Sequence, residues 1–304
     1  MSFKIGVDGG GTKTECILVD ASGVVAGRHM APGCNPSVVG PDQARALLLE
    51  AMQAVRVQSR IPQLKLEITT TLLCMAGSQP FWRETAAQLG GFGRIEAAPD
   101  SLPVLELATG GAPGLVVHAG TGSFVAARAP DGSAHYAGGL GWRFGDSGSG
   151  YDLGRRAVAR ALLELQGWAE HTALAEALCQ YTGLSDYAAN SGLFYADAAA
   201  NAKIAAFAPR AIELAEQGCG AAQQIIAESL GGLAALVHRV LQQLFPRATA
   251  GAALPCGVSG ALLNRPACRS ALRAFAATHA WPVQLQPITD PPIEGVRRLL
   301  LKME

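Results

Sequence analysis

The run Asp8-Gly9-Gly10-Gly11-Thr12-Lys13-Thr14 lies between two apolar stretches, Lys4 to Val7 and Glu15 to Val19, so its glycines are expected in the turn of a β-hairpin. Three consecutive glycines tolerate positive φ and let backbone N–H groups converge on an anion, while Thr12, Lys13 and Thr14 bring hydroxyls and a positive charge to the rim. That is phosphate-binding chemistry. Asp8, closing the first strand, can hold Mg2+ through water, because that ion keeps most of its hydration shell and takes one or two carboxylates. The same residues also suit a glycine hairpin that binds nothing. The pattern recurs: Leu115 to Ala119, then Gly120-Thr121-Gly122, then Ser123 to Ala127 reads as strand, Gly/Thr turn, strand, about one domain length further on. Two such hairpins in two halves suggest a duplicated α/β fold gripping one polyphosphate from both sides.

The common nucleotide motifs are missing. No Gly-x-x-x-x-Gly-Lys-Ser/Thr occurs, which excludes a P-loop. Gly148-Ser149-Gly150-Tyr151-Asp152-Leu153-Gly154 echoes a dinucleotide fingerprint, but no apolar strand enters it and its spacing carries a residue too many.

The elements that must carry these residues follow from the remaining pattern. With 304 residues, 49% of them hydrophobic, the chain is expected to hold two globular domains. In the first half, strands are expected at Phe3 to Asp8, Thr14 to Asp20, Val24 to Met30, Glu67 to Met75 and Arg94 to Ala97, with helices at Pro41 to Gln58, Phe81 to Leu89 and Ser101 to Ala108. Thr109 to Gly114 is dense in chain breakers and marks a hinge between halves. The second half opens alike, with strands at Leu115 to Ala119, Ser123 to Arg128 and Ser133 to Ala137. It then runs into helices at Gly148 to Gln166, His171 to Tyr181, Asp197 to Ala206, Pro209 to Gln217 and Cys219 to Leu244. Strand Ala252 to Val258, helix Pro266 to Thr278, strand Val283 to Gln286 and a short amphipathic segment, Ile293 to Leu301, close the pattern. Three strands followed by alternation predict mixed sheets covered by helices.

Composition narrows the partners. Lys plus Arg and Asp plus Glu number 24 each, so neither nucleic acid nor an anionic membrane surface is an expected partner. No stretch of ~20 apolar residues free of charge suggests a membrane span, and Met1-Ser2-Phe3-Lys4 runs into the first strand without the pattern of a signal peptide. Seven cysteines without a Cys-x-x-Cys pair suit reduced thiols in a cytoplasm. The six histidines show no metal-ligand spacing, so no transition metal is expected.

Four segments carry a family resemblance: Gly6 to Thr14, Gly120-Thr121-Gly122-Ser123, Gly138-Gly139-Leu140-Gly141-Trp142-Arg143-Phe144-Gly145-Asp146-Ser147-Gly148-Ser149, and Gly257-Val258-Ser259-Gly260. Together they resemble the sugar kinase, Hsp70 and actin superfamily and, within it, the N-acetylglucosamine kinase and BadF/BadG/BcrA/BcrD ATPase family. The resemblance implies an α/β fold of two actin-like (ribonuclease H-like) domains with mixed sheets, the second with a helical insertion. The first would take residues 1–110 with a C-terminal helix at 292–304, and the second residues 111–291. It implies ATP and Mg2+ as cofactors and an amino sugar, N-acetylglucosamine or glucosamine, phosphorylated at its 6-hydroxyl. Gly9, Gly10, Gly11, Thr12 and Lys13 would then lie near the β- and γ-phosphates with Asp8 on hydrated Mg2+, and Gly120 and Thr121 opposite. Ala205, Gly257 and Gly260 would take the adenosine side, and Asp100 would act as catalytic base. Asn35, Asp100, Gly122, Gly139 and Asp146 would contact the sugar.

Each of these has a plainer alternative. Asp100 suits the N-cap of the helix at Ser101, Asn35 an Asn-Pro turn, Asp146 a cap of the helix at Gly148, and Gly257 to Gly260 a simple helix start. Phe124 stands where animal-type N-acetylglucosamine kinases carry an asparagine after Gly-Thr-Gly-Ser, which leaves the sugar open. The Cys-x-Cys-Gly zinc segment of the repressor-and-kinase sugar group is missing. Two other functions share the fold: a dehydratase activator and a sugar-sensing regulator. The first needs two thiolates per chain for a shared iron–sulfur cluster, and this chain has no cysteine between Met75 and Leu178. The second is disfavoured by Asp100 and by the lack of a helix-turn-helix segment. The oligomeric state stays open, a homodimer being the assembly considered.

Overall fold

The computed structural model describes residues 2–59, 61, 66–197, 199–248 and 253–303. Two compact units emerge, Met1–Gly111 with Thr289–Glu304, and Ala112–Ile288.

The first unit begins with β1 (Ser2–Gly9), β2 (Lys13–Asp20) and β3 (Val25–Pro32), then α1 (Pro36–Val39) and α2 (Pro41–Gln58). It continues with β4 (Glu67–Met75), α3 (Gln79–Gln88), β5 (Arg94–Pro99) and α4 (Ser101–Thr109). The sheet order is β3-β2-β1-β4-β5; the hairpins are antiparallel, and β1, β4 and β5 run parallel. In α2, Ala44, Leu48, Ala51, Met52 and Val55 are buried at helical spacing, and they pack with Ile5, Val7, Leu18 and Leu73 on one face of the sheet.

The second unit holds β6 (Gly114–Ala119), β7 (Ser123–Arg128), β8 (Ala134–Gly138), α5 (Gly150–Leu165), α6 (Ala173–Thr182) and α7 (Tyr187–Ala196). After these come α8 (Ala200–Glu216), α9 (Gly220–Leu244), β9 (Leu254–Ser259), α10 (Pro266–Thr278) and β10 (Val283–Pro287). Its sheet order, β10-β9-β6-β7-β8, repeats the first unit's plan: an antiparallel meander on one side of a central strand, two parallel strands on the other. Among the described residues α9 is the helix long and apolar enough to cross a membrane by length and composition. Its Ile225, Ile226, Leu230, Leu233 and Val237 belong instead to the core formed with α5, α8 and α10.

The last helix, α11 (Pro292–Lys302), packs on the opposite face of the first sheet, where Ile293, Val296 and Leu300 meet Ile17, Val19, Leu72 and Cys74. Two glycines permit that contact. A Cβ on Gly6 would come within 2.7 Å of Val296, and one on Gly295 would strike the Pro103 carbonyl of α4.

Three expectations need correction. The helices expected at Asp197 to Ala206 and Pro209 to Gln217 are one, α8, with Pro209 inside it. Proline removes an i to i−4 hydrogen bond, but Phe207, Ala208, Ala211 and Ile212 are buried on both sides of it, and that packing carries the helix through. Helix α7 was not expected, because Asn190 is its one fully buried residue and no apolar period announces it. The helix expected from Gly148 starts at Gly150, with Ser149 as its cap. The strand start expected at Ala252 lies outside the described residues.

Candidate functional site

In the first unit the glycine hairpin is closed by the Gly10 N–H donating to the Lys13 carbonyl at 2.9 Å. Gly33 and Cys34, just past β3, donate to the Thr12 and Gly10 carbonyls, both at 3.2 Å. This pins the turn from outside and leaves Gly11, Thr12 and Lys13 exposed. The expected positive φ does not occur at Gly9, Gly10 or Gly11. Close approach calls for glycine at two positions, where a Cβ on Gly9 would collide with Met75 and one on Gly33 with the Gly11 carbonyl, whereas a Cβ on Gly10 or Gly11 would meet only ordinary contacts.

Asp8 and Asp100 stand at the carboxyl ends of β1 and β5, with β4 between them: Asp8 is in register with Cys74, and Cys74 with Ala98. In α/β sheets ligands bind at that end of the strands. Burial first, and then the negative charge of Asp100, push the Asp8 carboxyl up to about 7, with Lys13 pulling against them. Burial also raises Asp100, against the pull of its own N–H and that of Ser101. Asp100 occupies the N-cap position of α4 without its side chain capping the helix, so the plainer reading of this residue loses its support. Asn35 does cap: its Oδ1 accepts from the Ser37 N–H at 3.0 Å and starts α1. A Cβ on Gly77 would lie 2.7 Å from that oxygen, so the turn after β4 closes against Asn35.

In the second unit, Gly120 donates to the Gly122 carbonyl at 2.9 Å to close the second hairpin, again without positive φ at either residue. Three segments converge on that turn. The Gly150 N–H at the start of α5 donates to the Gly120 carbonyl at 2.8 Å, and the Leu262 N–H donates to the Ala119 carbonyl at 3.1 Å. A Cβ on Gly150 would lie 3.5 Å from the Gly120 carbonyl and 3.8 Å from that of Ala205. Gly260 does need its freedom, with φ of 94° and the Ala119 carbonyl against its Cα. Gly257 is buried within β9, and the helix after Gly260 begins only at Pro266, so the expected strand-to-helix junction is a longer turn.

A second cluster gathers Gly122, Gly139 and Asp146. A Cβ on Gly122 would lie 3.1 Å from Asp146 Oδ2, and the Gly139 N–H donates to the Ser123 carbonyl at 2.9 Å. Asp146 holds φ of 58°, rare for a residue with a side chain. It accepts from the Gly141 N–H at 3.2 Å, and burial raises its carboxyl. Ser149, not Asp146, caps α5. Sequence reading passed over Asp152, which is buried in the first turn of α5. It accepts from the Gly148 N–H and from Ser229 Oγ at 2.8 Å, anchoring the end of the loop to α9. Sequence reading also passed over His118, although a lone titratable ring in the apolar strand Leu115 to Ala119 was a signal.

Among the described residues no three His, Cys, Asp or Glu side chains cluster to hold a metal. A hydrated Mg2+ needs only one or two carboxylates. The two neighbouring carboxyls at Asp8 and Asp100, both raised, are a donor set whose charge such a cation would offset.

Residues 5–275 match the sequence profile of the BadF/BadG/BcrA/BcrD ATPase family. An N-acetyl-D-glucosamine kinase of Dictyostelium discoideum is 28% identical over 254 residues, 79% of this chain and 79% of that one. An N-acetylmuramic acid/N-acetylglucosamine kinase of Clostridium acetobutylicum is 27% identical over 179 residues, 57% of this chain and 58% of that one. The crystal structure of a candidate N-acetylglucosamine kinase from Chromobacterium violaceum aligns with a TM-score of 0.75 at 27% identity, covering 98% of both chains. The two mixed five-stranded sheets with their helices thus form an actin-like ATPase fold.

Proposed function

The chain belongs to the BadF/BadG/BcrA/BcrD ATPase family, and we propose that it is an ATP-dependent amino-sugar kinase that phosphorylates the 6-hydroxyl of N-acetylglucosamine or glucosamine. The observation that carries this reading is Asp100: a carboxyl at the end of a parallel strand, raised by burial, beside a second carboxyl and not spent on capping its helix.

In the proposed reaction the Asp100 carboxylate accepts the proton of the sugar 6-hydroxyl as that oxygen bonds to the γ-phosphorus, and the bond to the β-phosphate oxygen breaks to release ADP. Phosphoryl transfer asks the protein mainly for positioning and charge stabilisation. The N–H groups of Gly9 to Thr12 with Lys13, and those of Gly120 and Thr121, would neutralise the phosphates. Asp8 would hold a hydrated Mg2+, whose chemistry there is charge neutralisation. The adenosine would lie toward Ala205, Gly257 and Gly260. The sugar would be read by the Asn35 amide, Asp100 and Asp146, with Gly122 and Gly139 giving close approach. A base whose pKa is raised toward the working pH is suited to this proton transfer.

Phe124 bears on the sugar. Its ring is stacked between His118 and Tyr136 and offers no hydrogen bond, so the 2-acetamido group should be held less strongly than in enzymes with asparagine there. ATP consumption measured against a panel of amino sugars, with the product located by NMR, tests the whole reading. Sugar-dependent ADP release is expected with N-acetylglucosamine or glucosamine and none with the 6-deoxy analogue. No release with any amino sugar would refute it.

A further inference from the structure

The His118 ring lies against the Gly120 turn and is hydrogen-bonded to Ser259, which leads into the Gly260 turn. It sits next to the end of β6, in register with Ser259 on β9 and Phe124 on β7. Its Nδ1 is 2.9 Å from Ser259 Oγ, in the residue before Gly260. Its Nε2 would lie 3.3 Å from a Cβ on Gly120. One face of the ring stacks on Phe124, with centroids 4.7 Å apart and planes 11° apart, and Phe124 stacks in turn on Tyr136 at 5.1 Å. The Tyr136 hydroxyl stands where any side chain on Gly139 would be. A column of three rings therefore runs across the sheet from the Gly120 turn to Gly139, tied to the Gly260 turn through Ser259.

An aliphatic side chain would fill the same space without the cost of holding a polar ring away from water. The ring is neutral near pH 7, since burial pushes it down to about 4. A neutral imidazole has one donor and one acceptor nitrogen, and the Ser259 hydroxyl, which can donate or accept, satisfies Nδ1 in either tautomer.

We propose that His118 is a positioning residue: held by Ser259 and backed by Phe124 and Tyr136, it sets the spacing of the Gly120-Thr121-Gly122 turn from the Gly260 turn and through it the affinity for ATP. The nucleotide part of this inference rests on the role proposed for those turns.

Ser259→Ala, which removes a single hydroxyl, is the primary test, with His118→Leu and His118→Asn beside it. Calorimetry, steady-state kinetics and amide hydrogen exchange without ligand are the readouts. Ser259→Ala should weaken ATP binding by up to about tenfold, the worth of one hydrogen bond. The KM for ATP should rise in step while kcat is unchanged. The Gly120 amide, which closes its own turn, and the Leu262 amide, which ties the segment after Gly260 to Ala119, should exchange faster. His118→Asn, which keeps a hydrogen-bonding group near the Nδ1 position, should recover part of the loss seen in His118→Leu. If His118→Leu does not fold, Ser259→Ala decides. Wild-type ATP affinity and wild-type exchange in Ser259→Ala would overturn the inference, as would a fall in kcat at unchanged KM. A wild-type protein that binds no ATP would remove the nucleotide reading, and the exchange rates would still decide whether His118 braces the turns.

Discussion

Asp8 and Asp100 hold charge where the fold disfavours it, and both carry predictions. Asp100→Asn should retain ATP binding while kcat falls by roughly 10² to 10⁴, the usual worth of a positioned base. Near-normal turnover would return Asp100 to a structural role. Because burial raises its pKa, kcat/KM in the wild type should rise with pH along a limb above the ordinary aspartate range. That limb belongs to the coupled pair rather than to one residue. Asp8 is held up to about 7 against an ordinary value of 3.8, so its contribution to stability is complete below pH 4 and is lost as pH rises toward 7. Asp8→Asn should therefore raise the melting temperature in magnesium-free buffer at pH 8, leave it unchanged at pH 4, and abolish activity. The difference between variant and wild type isolates this effect from the opposite contribution of His118, whose pKa is lowered. An equal shift at both pH values would contradict the assignment. At this scale the sequence shows which carboxylates exist but not which are shielded, because shielding at Asp100 depends on strands that begin some 100 residues earlier in the chain.

Among the elements, α11 depends most on residues far away in sequence. Its apolar stripe, Ile293, Val296 and Leu300, is evident from spacing, but nothing local says which surface it covers. Gly6 and Gly295 make the contact possible, and Lys302 secures the end of the helix. Its Nζ donates to Glu106 Oε1 at 2.5 Å and to the Gly110 carbonyl at 2.9 Å. Gly295→Ala should destabilise the first unit by about 1–3 kcal/mol, since its Cβ meets a backbone carbonyl that cannot move aside freely. Denaturant titration monitored at Trp82, buried in that unit, would detect it, and an unchanged midpoint would show that the helix shifts without cost. The continuation of α8 through Pro209 teaches the same lesson: a local breaker yields where burial on both sides outweighs one lost hydrogen bond.

At the scale of the whole molecule the two units differ in how the chain builds them. The second is one continuous segment, Ala112–Ile288, whereas the first needs Thr289–Glu304 from the far end. A fragment of residues 112–288 should keep the circular dichroism of its helices and a cooperative melt. A fragment of residues 1–111, lacking α11, should expose Ile17, Val19, Leu72 and Cys74 and aggregate, which light scattering would report. A soluble, cooperatively melting fragment 1–111 would contradict this. What the sequence determined by itself was local or repeated: the strand and helix periods, the two glycine hairpins, the doubled α/β plan and the family resemblance. These follow from hydrogen-bond geometry and side-chain alternation within a few residues. Only the tertiary structure decided that the Asp100 side chain makes no capping hydrogen bond, that the hairpin glycines do not take positive φ, and that His118 reaches Ser259 across 141 positions. Burial, charge coupling and packing depend on which distant segments become neighbours, and the order of strands in a sheet sets that order.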